Sequence, residues 1–551
     1  MVVLAAIAAA TVLAFSPALN APFQFDDIAS IVHNQTITRA WPPGAALTPP
    51  PAITVSGRPV VNYSLALNYA VSGASSTFGY HAANLALHVL CGLLVFGIVR
   101  RTLRAHAREH AEHGHAESIA LAVTALWLLH PIQTEAVDYV IQRTELLVSV
   151  FLAATLYASI RAWDASSGSG RAAWYATGTM ACLLGMGSKE VMVSAPLIVI
   201  LWDRVFHSTS WSALLEKGNG RRWFYLALLV TSSWLIALVA AGSRAETVGL
   251  SLGLSWQRYF YSQAWAVLHY LRLLAWPVGL SYDYGQEPVT GLRGVPGLVV
   301  LGAFFIATCV AWTRDRWRWF AFVGTVFFLL LGPSSSVIPI RTEIAAERRV
   351  YLASVGMIVL FVLGVHAAAR RVWTERRGAE LAGLTAVCVL LALVTYRRSS
   401  MYRDPELLWR DAMEQVPMNP RAYDNLAAVV LGKDKARIGE AEALLRHAIS
   451  IDSTYASAWT NLADVEVQLG RPAQALALLE HVVRANPELV DATARLGGML
   501  VRAGDPVRAI PMLERAAAVA PTEETLVVLA IGYESVGRHA DSQALLQRVW
   551  H

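Results

Sequence analysis

Two carboxylates stand side by side in this chain, Asp26 and Asp27, within Phe23-Gln24-Phe25-Asp26-Asp27-Ile28. Like charges this close repel, so such a pair is most useful where a cation or a transferable proton meets it. They follow residues 1–20, a stretch with no charged side chain. Charged groups just outside the hydrocarbon cost little to keep. A carboxylate placed there can take the proton of an attacking hydroxyl. Taken alone, Asp27 equally suits the cap of a helix beginning at Ile28.

Other polar groups fall at the ends of apolar segments. Gly57-Arg58-Pro59 precedes the second apolar run, and His81, Asn84 and His88 approach or enter it. His130-Pro131, Glu135 and Arg143 flank a later turn, Ser188-Lys189-Glu190 joins two runs tightly, and Glu347-Arg348-Arg349-Val350-Tyr351 leads into another. Two carboxylates and several cations at one bilayer face suit a lipid-linked phosphate. Each group also has a plain structural reading. Arg348 and Arg349 fit interfacial anchors, Lys189 and Glu190 a local ion pair, His130 a helix end, and His81 and His88 interhelical hydrogen bonds. No HxxxH or CxxC arrangement there is placed to bind zinc strongly. The functional reading rests on convergence.

The elements that must position these groups are helices in a membrane. The 551 residues are 55% hydrophobic with a mean hydropathy of +0.44, the composition of a polytopic membrane protein. Apolar runs lie near 2–20, 84–100, 118–130, 145–161, 172–187, 191–206, 223–241, 296–312, 318–332, 350–369 and 380–396. The first lacks a basic lead-in, so a retained span is expected, although Ala-Leu-Asn-Ala at 18–21 resembles a cleavage site. Basic clusters at 100–108, 161–171, 217–222, 314–318 and 370–377 mark the cytoplasmic side. The loops 21–83, 131–144, 188–190, 242–295 and 333–349 then face outward. This requires eleven spans, with 256–280 failing to cross and the C-terminal part outside. Arg397, Arg398 and Arg403 run against the rule and are outvoted. Cys91, Cys182, Cys309 and Cys388 all lie in apolar segments and suggest neither a disulfide framework nor a metal cluster.

From Arg403 onward the chain carries 15 Lys/Arg against 20 Asp/Glu, and before it 30 against 20. A basic membrane domain, 1–400, is therefore expected to precede an acidic soluble domain, 404–551. The basic residues form no continuous face, which argues against a nucleic-acid partner. In the second domain Leu469-Gly470-Arg471-Pro472, Ala503-Gly504-Asp505-Pro506 and Val536-Gly537-Arg538 recur at a period near 34 residues. About four tetratricopeptide repeats are expected, stacked as an α-solenoid whose concave groove accepts an extended polypeptide. A repeat array used only for scaffolding fits the same pattern.

With Ser281-Tyr282-Asp283 and Leu352 added, these motifs resemble, in order along nearly the whole chain, the transmembrane and tetratricopeptide repeat-containing protein family. That family is similar to GT-C membrane glycosyltransferases, which include protein O-mannosyltransferases. The resemblance implies an all-α GT-C-type bundle, a sugar (mannose in the family) carried on polyprenyl or dolichyl phosphate, and an acidic motif in the first outer loop. It adds Asp283 to the supporting residues His130, Glu135, Arg143, Glu190, Glu347 and Tyr351. The Ala- and Arg-rich composition points to a bacterial relative, with loop and repeats periplasmic, or luminal in a eukaryote. A polyprenyl phosphate leaves as a stable anion, so only the acceptor Ser or Thr hydroxyl needs a base. Asp26 is expected to be that base, with Asp27 orienting it. Arg348 and Arg349, then Lys189 and Arg58, are the phosphate ligands expected, and a single displacement inverts the sugar carbon. No obligatory cofactor is expected; a divalent metal on Asp26 and Asp27 is the alternative. The competing function is a non-enzymatic membrane scaffold recruiting partners through its repeats.

Overall fold

The structure, a computed structural model, describes residues 1–51, 53–74, 76–110, 115–208, 210–215, 220–241, 255–335, 339–340, 343–372 and 377–550. The predicted loops 242–295 and 333–349 and the clusters 217–222 and 370–377 lie partly outside these residues. The chain forms two compact units, Met1–Leu408 and Trp409–His551.

The first unit contains α1 (Val2–Phe15), α2 (Pro59–Ser72), α3 (Thr77–His110), α4 (Ala116–Leu128), α5 (Thr134–Asp138), α6 (Arg143–Asp164) and α7 (Gly168–Met186). It continues with α8 (Ala195–Phe206), α9 (Arg221–Ala240), α10 (Trp256–Ala275), α11 (Val295–Trp312), α12 (Arg318–Leu331), α13 (Ala353–Val372) and α14 (Arg377–Met401). Six helical segments among the described residues are long and apolar enough to cross a membrane: Val2–Asn20, Thr77–His106, Val140–Asp164, Arg221–Ala240, Val295–Trp312 and Leu381–Met401. Ala116–Leu128 and Ala353–Ala369 are apolar but shorter. The run at 191–206 divides into a 3-10 turn, Glu190–Ser194, and the 12-residue α8.

The first predicted loop, 21–83, is shorter than expected and not all loop. Helix α3 begins at Thr77, because Tyr80 and His81 continue its buried face ahead of the apolar run. Within the loop, Pro59 opens α2 at a position where its missing N–H costs nothing. Val61, Leu65 and Ala66 bury one face of α2, while Leu67 and Val71 remain exposed on the other.

Helix α6 joins two apolar cores. Val148, Leu152 and Leu156 pack with Trp202, Phe224, Tyr270 and Phe327 from α8, α9, α10 and α12. Leu146 and Val150 pack with Phe15, Val123, Trp127, Ile358 and Leu391 from α1, α4, α13 and α14. The outer-face groups are therefore hung on one shared, rigid helix.

The second unit is built of helix pairs: α15 (Pro405–Gln415) leads into α16 (Pro420–Lys433) with α17 (Ile438–Ile451), α18 (Ala456–Gln468) with α19 (Pro472–Ala485), α20 (Val490–Arg502) with α21 (Pro506–Val519), and α22 (Glu523–Ser535) with α23 (His539–Trp550). The last three pairs turn at Gly470, Gly504 and Gly537, with φ of 74°, 83° and 79°, a left-handed conformation that glycine adopts without a Cβ penalty. Leu479, Leu496, Leu500 and Leu513 are buried between successive pairs. The repeat expectation thus appears as an all-helical stack.

Gly297 of α11 lies against the backbone of α10, and a Cβ there would overlap the carbonyl of Ala264. Gly297→Ala should therefore destabilise the α10–α11 contact by about 1–3 kcal/mol, as overpacking does against an immovable backbone. A lowered melting temperature of the detergent-solubilised protein checks this; an unchanged one would mean the helices slide apart freely.

Candidate active site

Asp27 does not cap the turn that follows it, Ile28–Val32. Its Oδ2 instead accepts the Gln24 N–H at 3.1 Å and its Oδ1 accepts the Ile141 N–H at 2.8 Å. The carboxylate thereby bolts the first loop to the turn between α5 and α6. Tyr139, two residues before Ile141, accepts the Asp26 N–H on its phenol oxygen at 2.9 Å. Gln24 donates its amide to the Tyr402 carbonyl at 2.7 Å, just beyond α14. Between these fixed points Phe25 adopts φ 46°, a strained conformation for a non-glycine residue and one found preferentially at functional sites. Asp27 is buried while Asp26 is half-exposed. Burial pushes the Asp27 pKa up to about 8, against the pull of its two amide hydrogen bonds and Arg143.

Arg143 frames this loop from below. Its guanidinium donates to Asn84 Oδ1 at 2.8 Å and to the carbonyls of Tyr80 and Ser64 at 2.9 and 3.3 Å. Asn84 in turn donates to the carbonyls of Val137 and Val140. His81 meets the Ala21 carbonyl at 3.1 Å, and His88 bridges Tyr351 Oη at 2.7 Å and the Leu128 carbonyl at 3.1 Å. Tyr351 thus packs in the interior, where its carbonyl also receives the Trp127 indole at 2.9 Å. His130 accepts the Ile132 N–H on Nδ1 at 3.2 Å, which assigns its proton to Nε2, 3.0 Å from the Leu274 carbonyl. Burial lowers its pKa to about 4. These groups hold the scaffold around the first loop.

The predicted cations are sorted by their partners. Arg348 pairs with both Glu135 and Glu343. Burial alone would lower its pKa, but the two carboxylates overcome that and hold it firmly charged. Glu347 accepts the Ser281 N–H at 2.8 Å and the Tyr284 hydroxyl at 2.7 Å. Asp283 closes its own turn by accepting the Gly285 N–H at 2.7 Å. Arg58 meets Glu190 at 3.4 Å, and Lys189 pairs with Glu145. Arg349 donates to the carbonyls of Glu343 and Ile344 at 2.9 and 3.2 Å. It also lines a narrow cleft of about 20 Å³ with Glu145, Ser149, Val148, Leu152, Val191, Leu330 and Leu352. Arg349 and the Lys189 partner Glu145 therefore meet a mainly apolar wall. Among the described residues no three His, Cys, Asp or Glu side chains converge to hold a metal ion, and both Asp27 oxygens are taken by backbone amides.

The family model for the tetratricopeptide repeat matches residues 434–496. A protein O-mannosyl-transferase of Caenorhabditis elegans is 24% identical over 471 residues, covering 81% of this chain and 62% of its own length. Protein O-mannosyl-transferase Tmtc1 of Drosophila melanogaster is 26% identical over 565 residues, covering 83% and 63%. The chain is similar to these protein O-mannosyl-transferases. It spans somewhat under two thirds of their length. Among solved structures, MamA protein is similar to 26% of this chain over 78% of its own, at 17% identity and a TM-score of 0.23.

In this relative of the O-mannosyl-transferases, several residues at the site carry no motif that would single them out. Glu145 and Glu343 neutralise Lys189 and Arg348. Tyr139 holds the Asp26 backbone, and its ring stands edge-on to Tyr282 at 5.4 Å, which stands edge-on to Tyr402 at 5.9 Å. Asp138 is buried with no hydrogen-bond partner on Oδ2, and burial holds its pKa well above the carboxylate range. The nearest available signal was the crowding of Glu135, Asp138, Tyr139, Arg143 and Glu145 into eleven residues between two apolar runs.

Burial pushes the Glu347 pKa up to about 8, with Arg398 pulling the other way. A carboxyl raised on folding contributes stability that is complete below the ordinary Glu range and lost as the pH climbs through about 8. The melting temperature should fall between about pH 5 and pH 9. Glu347→Gln keeps both acceptor contacts and cannot ionise, so it should flatten that fall. An identical pH profile in the variant would assign the loss to other groups.

Proposed function

We propose that the chain transfers a sugar, mannose by analogy with its homologues' names, from a polyprenyl-phosphate donor to Ser or Thr hydroxyls of a protein, with inversion at the sugar carbon. The observation that carries this reading is the first loop. Asp26 stands half-exposed beside a strained Phe25, on a backbone fixed by Tyr139 and by its buried neighbour Asp27. Holding a base in place before the reaction removes an entropic cost that would otherwise fall on the transition state.

In this reading Asp26 takes the proton of the acceptor hydroxyl as its oxygen bonds to the sugar carbon. The bond from that carbon to the phosphate oxygen breaks, and its electron pair leaves with the phosphate. Arg349 receives the developing charge, with Lys189 nearby through Glu145, because a guanidinium matches phosphate oxygens in a planar fork. Arg348, occupied by two carboxylates, serves better as a strut than as a phosphate ligand, and Arg58 is similarly engaged by Glu190. The repeats would bind the acceptor as an extended polypeptide. The outer-loop side, periplasmic in a bacterium, is the reaction face that the charge rule supports.

The test is transfer of labelled sugar from polyprenyl phosphate to a protein acceptor. Asp26→Asn should lower turnover about 10²–10⁴-fold, since an amide cannot take the proton, and leave the melting temperature unchanged. Asp27→Asn should also cost about 1–3 kcal/mol of stability, because Nδ2 would turn a donor toward a backbone N–H. Arg349→Ala should raise the donor KM, with Arg349→Lys restoring part of it. Undiminished transfer by Asp26→Asn would remove that residue from the chemistry and favour the scaffold reading.

A further inference from the structure

Four of the chain's 15 histidines fall within ten residues, at 106, 110, 113 and 115, with Glu109 and Glu112 between them and Glu117 just beyond. The proposed transfer uses none of them. Histidine-dense tracts attract transition metals, because neutral imidazole is a strong nitrogen ligand for zinc, nickel and copper. The tertiary structure adds a partner that no local pattern contains. His115, which immediately precedes α4, faces His366 of α13, with ring centres 5.0 Å apart and planes inclined at 55°.

That separation is informative. Two imidazoles bound to one tetrahedral zinc through nitrogens at about 2.0–2.1 Å place their ring centres about 5 Å apart. The spacing is also maintained by packing, since Ile119 and Val123 of α4 and Ile358 and Val362 of α13 share one apolar core. Glu117 is not a competing ligand, because Arg104 holds it at 3.5 Å. The pair is remote from the proposed chemistry: the 13 residues of α4 put about 20 Å of helix between His115 and His130.

We propose that His115 and His366 form a binding site for a divalent transition metal of the zinc class. The ion would tie the link between α3 and α4 to α13 at the helix ends opposite Asp26. Two imidazoles leave further coordination positions for water. An edge-inclined aromatic pair has the same ring spacing, so the experiment must separate ligation from ring packing.

The full chain in detergent is titrated with Zn²⁺ against a chromophoric chelator, as wild type, His115→Ala and His366→Phe. The phenylalanine keeps a ring in place and offers no nitrogen. Zinc binding should weaken at least about tenfold in each variant, the loss that even an indirect support of a metal causes when removed. Zinc should raise the melting temperature of wild type and not of His366→Phe, while the metal-free proteins melt alike. Equal zinc affinity in wild type and His366→Phe would overturn the site and leave the two rings as a packing contact. None of these readouts uses sugar transfer, so the result stands apart from the proposed activity.

Discussion

The candidate active site depends on one buried carboxylate. Asp27 sacrifices most of its hydration and recovers two amide hydrogen bonds, from Gln24 on its own loop and from Ile141 at the head of α6. A buried N–H left unpaired costs about 1–3 kcal/mol, so each of these bonds is hard to give up. Together they cross-link segments that are distant in sequence. The adjacent residue, Asp26, inherits a backbone fixed by Tyr139 and a half-exposed side chain. The strained Phe25 between Gln24 and Asp26 persists because both its neighbours are held.

The cations show the same economy on a larger scale. Removing a charge from water is expensive, and a protein tolerates it only with a partner in good geometry. Arg348 with Glu135 and Glu343, Lys189 with Glu145, and Arg58 with Glu190 meet that requirement in sequence-distant pairs. Arg349 differs. Its guanidinium donates to the Glu343 and Ile344 main-chain carbonyls, with the Glu343 carboxylate further off at 3.9 Å, and it borders a small cleft. A carbonyl carries only a partial charge, so an incoming phosphate competes with it more easily than with a carboxylate.

Rigidity for this arrangement comes from α6, whose two faces enter two apolar cores. The turn at its head carries Tyr139 and Ile141, its first turn carries Arg143 and Glu145, and the first loop, α2 and the segment after α7 reach those groups at fixed positions. The second unit solves a different problem. Its helix pairs gain stability from neighbours in sequence, and glycines in the left-handed conformation turn the chain between them. Such local construction explains why its pattern recurs visibly in the sequence.

The sequence by itself determined the class of protein: apolar length, charge asymmetry and the repeat period dictate membrane helices followed by an α-solenoid. It also drew attention to Asp26, Asp27 and the Glu347–Tyr351 stretch, because charge at the edge of hydrocarbon is costly enough to stand out. What it left open was which role each charge plays. His130, Arg143 and Tyr351, expected as supporting site residues, make their hydrogen bonds to main-chain groups, Asn84 and His88. Tyr139, Glu145 and Glu343 carry no motif and are decisive, since they fix or neutralise the residues that do. Only the tertiary structure could make these assignments. Burial and hydrogen-bond partnership are properties of segments brought together from opposite ends of the chain, and a carboxylate has the same letter whether it binds a proton, an arginine or a backbone amide.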